Sequence, residues 1–99
     1  MSDKIKSFGE TVRDLRQSKG LLLRQVAAEL EVDMAFLSKM ERNEKKASRQ
    51  QVTRLAKTLQ VEKNDLLTLW LSDRLMETLN EESEAYNALK LTEKRIKQK

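Results

Sequence analysis

Met34, Ala35, Ser38, Lys39 and Arg42 are spaced so that a helix would gather them within about 140° of one another, at about 100° per residue,. That side is small, polar or basic, and its chemistry is recognition rather than bond-making. Such a face can approach a groove of DNA without steric obstruction. Downstream the charge rises. From Lys39 to Lys57 seven bases stand against two acids, a local charge of +5 in a chain whose net charge is +4. Alone, a run of this kind reads as a solvated lysine-rich loop. Beside the small basic face it reads as a phosphate-binding surface.

The elements that must present this face follow from the pattern around it. Val26, Ala27 and Leu30 predict a short helix over about residues 23–30, and Glu31-Val32 a tight turn. Asp33 is a good helix-capping residue, since its carboxylate accepts from an otherwise free backbone N–H. A second helix over about residues 34–42 turns Leu37 and Met40 inward. Two short helices joined by a tight turn form a helix-turn-helix, whose second helix enters the major groove.

The rest of the chain reads as helix as well. Phe8, Val12 and Leu15 give a first helix over about residues 6–18, with Ile5 entering its apolar face. Gly20 ends that segment in a left-handed conformation that a Cβ disfavours, and Asn43 does the same after the second motif helix. Ser48 caps a helix over about 49–60 with Val52, Leu55, Ala56 and Leu59 inward. Asn64 caps another over about 65–79. This fifth helix carries apolar residues around more than the roughly 100° arc that a surface helix buries, which predicts a second buried face. Trp70 within it is read as a core or interface aromatic. Residues 81–99 form a separate helix, with Glu81, Glu82 and Glu84 at its start and five bases toward its end, in the sense that complements the helix dipole. Its apolar line of Tyr86, Leu89 and Ile96 is thin, so it needs a partner surface.

Composition excludes much else. With no Cys and no His, the chain offers no disulfide, zinc finger, iron–sulfur cluster, His-ligated haem or Cys/His nucleophile,. It has no glycine-rich phosphate loop and no evident carboxylate pair for acid–base work. Glu29, Glu31, Asp33 and Glu41 are accounted for by solvation, capping and pairing. The expectation is a non-enzyme with no metal and no cofactor. No run approaches the roughly 20 apolar residues that span a bilayer, and the first ten residues lack a signal-peptide core. The default location is the cytoplasm.

FGETVRDLR at 8–16, KGL at 19–21, VAAEL at 26–30, Val32, LSKMERN at 37–43 and RLAKTLQVEKNDLL at 54–67 together resemble the Xre/Cro/cI family of helix-turn-helix regulators. The resemblance implies an all-α fold with a five-helix lambda-repressor-like DNA-binding domain over residues 1–67; residues 68–99 lie outside it and read, from their apolar faces, as a helical extension for dimerisation. It places base contacts at Met34, Ala35, Ser38 and Lys39. There Lys39 would donate to guanine O6 or N7, and Met34 or Ala35 would meet a thymine methyl. It places phosphate contacts at Arg24, Arg42, Lys45, Lys46 and Arg49, and a structural ion pair at Arg16 and Glu41. The chain departs from the family where Leu22 and Leu23 replace a Ser or Thr cap and a Gln; both leucines read as exposed. It departs again where Asn43 replaces a Gly and Ala47 a Pro. The LWLSD run at 69–73 resembles small regulators found near DNA methyltransferase genes, so a restriction–modification controller is among the options.

The expected function is a sequence-specific regulator, a repressor or an activator, binding double-stranded DNA as a homodimer on a pseudo-palindrome and regulating its own gene. Trp70, Leu71, Leu75, Leu79, Tyr86 and Leu89 are the expected dimer contacts. The alternative is an antitoxin or other protein-partner-binding module that also binds DNA, with the partner held by the C-terminal helix.

Overall fold

Ser7 starts the first helix. Its hydroxyl accepts from the Glu10 N–H while the Glu10 carboxylate accepts from the Ser7 N–H, so two free donors are satisfied reciprocally. In the structure, a computed structural model describing residues 4–99, the helices are α1 (Phe8–Ser18), α2 (Leu23–Leu30), α3 (Met34–Glu41), α4 (Arg49–Leu59), α5 (Lys63–Leu79) and α6 (Ala85–Lys97). No strand occurs among the described residues. The fold is all-α, with a C-terminal helix beyond the helix-turn-helix domain, as the composition predicts.

The first four helices end in the same way. Gly20, Glu31, Asn43 and Gln60 all have φ between 57° and 67°. After each of them the next residue donates to the carbonyl five positions back: Leu21 to Arg16, Val32 to Ala27, Glu44 to Lys39 and Val61 to Ala56, at 2.8–3.0 Å. This is the Schellman arrangement, which satisfies carbonyls that a helix end leaves free. Three of the four residues that follow are apolar, so the same turn that stops the helix also drives Leu21, Val32 and Val61 against the core.

Val12, Val26, Leu37, Leu55 and Leu59 meet at the centre and are fully buried. Each contributes roughly 1.5–3 kcal/mol by leaving water. α4 and α5 pack most extensively. α1 lies on α3, α4 and α5, and α2 on α3 and α4. α6 makes at most a marginal contact with any of them and buries no residue. The radius of gyration is accordingly 15.2 Å, against about 13 Å for a close-packed chain of about 100 residues.

Several boundaries differ from the sequence reading. α1 begins at Phe8 because Ser7 caps it, and Ile5 stays outside at 86% exposure. Leu23 is not exposed but packs on the core, while Leu22 stands half in water as the residue before α2. α5 begins at Lys63, not Asp65. Its Glu62 backbone carbonyl takes the first helical bond from Leu66 at 3.2 Å, and Asn64 lies in the first turn rather than at the cap. The last helix begins at Ala85. Glu81, left-handed at φ 62°, holds the preceding residues in a turn. α5 also runs unbroken through residues 67 and 68, carrying Trp70 into the core.

Candidate nucleic-acid interface

Asp33 sets the position of α3. Its carboxylate accepts from the Phe36 N–H at 2.7 Å, fixing the first turn. Leu37, Met40 and Glu41 then point inward. The opposite side presents Met34, Ala35 and Lys39 to solvent, with Met34 at 49% exposure. Ser38 lies between them, half-buried. Its hydroxyl accepts from Arg42 Nη1 at 2.6 Å. Arg42 is thus laid back along the helix, and it donates from Nε to Glu44 at 2.9 Å. This hydrogen bond, with the charge behind it, holds the Glu44 carboxyl below its ordinary value. Glu44 therefore stays charged and holds Arg42.

The angle between α1 and α3 is fixed by an ion pair that is almost entirely out of water. Arg16 Nε and Nη2 donate to the two Glu41 carboxylate oxygens at 2.7 and 3.1 Å, and Nη1 donates to the Leu21 carbonyl at 3.0 Å. The two side chains are 12% and 4% exposed. The bidentate geometry satisfies both groups. Near the same junction, Asn43 binds the start of α1 from the end of α3. It accepts from the Gly9 N–H at 3.2 Å and donates to the Ser7 hydroxyl at 2.8 Å. Gly9 permits the approach, since a Cβ there would stand 2.5 Å from the Met40 carbonyl oxygen.

The basic loop after α3 is tied to α5. Trp70 Nε1 donates to the Ala47 carbonyl at 2.9 Å, and the Arg49 and Arg74 guanidinium groups lie over the indole at 5.3 and 5.0 Å. Lys46 pairs with Glu77 of α5 at 2.8 Å. Of the basic residues read as phosphate contacts, Arg42, Lys46 and Arg49 therefore have intramolecular partners. Arg24 and Lys45 are exposed and make no ion pair among the described residues, and the same holds for Lys39 on α3.

Trp70 is 9% exposed and belongs to the core of its own chain. Of the two readings of this aromatic, core or interface, the structure gives it the core, with its N–H satisfied. Leu71 and Leu75 stand outside on the opposite side of α5, Leu79 is half-buried, and Tyr86 and Leu89 are exposed on α6. Sequence reasoning missed Gly9, the Trp70–Ala47 bond and Asp73, whose carboxylate accepts from the free Phe8 N–H at 2.8 Å. Only the LWLSD run, which contains both Trp70 and Asp73, carried any signal of them.

A family model described as a helix-turn-helix domain matches residues 7–69. The chain belongs to the helix-turn-helix domain family. The match begins at the Ser7 cap and ends next to Trp70, so this helix-turn-helix domain takes in all of α1–α4 and the first part of α5. No curated protein matches the chain. Family membership points to DNA binding in regulation. Among the described residues no group of His, Cys, Asp and Glu is placed to hold a metal, and no helix is long and apolar enough to cross a membrane.

Proposed function

We infer that this helix-turn-helix protein is a non-enzymatic, sequence-specific transcriptional regulator that binds double-stranded DNA as a homodimer and controls its own gene. The observation that carries the reading is the solvent-facing side of α3. Met34, Ala35 and Lys39 project from a helix whose other side is locked by Asp33 and by the Arg16–Glu41 pair. Lys39 supplies a donor for guanine and Met34 or Ala35 an apolar contact for thymine. Arg24 and Lys45 hold phosphates and set register. Arg42, Lys46 and Arg49 reach phosphate by exchanging their internal partners for it.

One domain of this size reads too few base pairs for an operator. Two copies related by a two-fold axis would read half-sites about one helical turn, roughly 34–36 Å, apart. The exposed Leu71 and Leu75 on α5 and the apolar line of α6 support such pairing. The same unpartnered α6 favours the second reading, a module that also holds another protein, as antitoxins do.

Titration against the DNA just upstream of its own coding region, beside a shuffled fragment of equal length at near-physiological salt, tests the function. About a thousandfold preference with two chains per site is expected. Equal, weak binding to both fragments would remove autoregulation from the account, and no binding even at low salt would remove DNA.

A further inference from the structure

α6 is a well-formed helix with nothing to pack on. Its 13 residues bury no side chain. Tyr86, Leu89 and Ile96 lie along one side of it and remain 40–70% exposed. A helix of this length is marginal in water without a surface to cover its apolar side. Its own α5 does not supply one in this fold, since the turn at Asn80–Glu84 leads α6 away from the domain.

The charges flanking the apolar line identify what covers it. Glu81, Glu82 and Glu84 stand at the N-terminal end, and Lys94, Arg95, Lys97 and Lys99 at the C-terminal end. Among the described residues only Glu93 and Lys97 form an ion pair within the helix, at 3.9 Å. The segment is therefore its own electrostatic complement when reversed. Laid antiparallel on a second copy, the acidic end of each meets the basic end of the other. Laid parallel, like charges face each other along both ends. Helix dipoles favour the antiparallel sense as well.

We propose that α6 pairs antiparallel with α6 of a second copy of this chain, Tyr86 of each lying beside Ile96 of the other. The proposal rests on the homodimer inferred above and gives that dimer its contact. The two-fold axis passes through the α6 pair, and the helix-turn-helix domains lie on either side of it.

The chain has no cysteine, so single cysteines report the pairing directly. Tyr86 and Ile96 are ten residues apart, about 15 Å along a helix, while a disulfide requires Cα atoms within about 7 Å. The full-length Tyr86→Cys and Ile96→Cys variants are prepared separately, mixed under reducing conditions, and oxidised alone and together. Sedimentation of the untreated protein runs in parallel. A covalent dimer in the mixture, absent from either variant alone, is the expected result. Cross-linking of each variant alone would overturn the antiparallel sense. No cross-link in a protein that sediments as a dimer would overturn the α6 contact and leave the homodimer standing on α5. No cross-link in a protein that sediments as a monomer, including one whose α6 folds back on its own α5, would overturn both.

Discussion

Lys39 and Lys46 carry the same charge and are expected to behave differently on DNA. Lys39 projects from the exposed face of α3, so Lys39→Ala should weaken the operator by about 1–3 kcal/mol and leave random DNA nearly unchanged. Lys46 lies in the loop, paired with Glu77. Lys46→Ala should weaken all DNA alike and reduce the salt slope by about one. Affinities on specific and shuffled DNA at three salt concentrations check both; a uniform loss for Lys39→Ala would take it off the base-reading face. Arg16 acts on stability instead. Its removal strands the Glu41 carboxylate out of water, so Arg16→Ala should cost about 3–5 kcal/mol in chemical denaturation. Glu10 gives the fold an acid limb. The Ser7 backbone N–H first, then its hydroxyl, hold the Glu10 carboxyl below its ordinary value. The stability this confers is complete above the unfolded-state value, near about 4.3. It is lost as pH falls through the depressed folded-state value. Thermal melts from pH 6 to pH 3 should therefore fall less steeply for Glu10→Gln than for the parent protein.

Among the elements, the helix ends are where local sequence and tertiary structure meet. Gln60 holds a left-handed conformation that costs a residue with a Cβ roughly 1 kcal/mol. Gln60→Gly should raise the melting temperature by a few degrees, the relieved strain exceeding the added freedom of the unfolded chain,. Gly9→Ala should do the reverse and severely, since its Cβ meets backbone carbonyls of α3 that cannot rotate away. The helix-turn-helix itself was legible from sequence because its information is local: Asp33 as a cap, Leu37 and Met40 three apart, Asn43 as a stop. The inward residues of α4 were legible for the same reason. Gly9, Asp73 and the Trp70–Ala47 bond were not, because each is defined by a partner 23 to 65 residues away or by the crossing of two helices. No periodicity encodes such a pairing. The excess of leucine on α5 was visible as two apolar faces, but assigning Trp70 to the inner one required knowing which side the core took.

For the whole molecule, α6 is separable from the fold. It buries nothing in its own chain, whereas α5 reaches the core through Leu66 and Trp70 and the first helix through Asp73. A chain ending at Asn80 should melt within a few degrees of the full protein when compared at low concentration. A drop of ten degrees or more would mean that the last helix supports the domain directly.

The bond from the Phe8 N–H to Asp73 spans 65 residues, and this sets a schedule for biosynthesis. At about 5–20 residues per second, the ribosome takes on the order of three to thirteen seconds to travel from one partner to the other. Until then α1 has an unmet donor and the nascent bundle lacks the indole that closes its far side. The apolar surface assembled by α1–α4 thus stays open on that side until α5 emerges, a delay long compared with the microseconds in which the helices form.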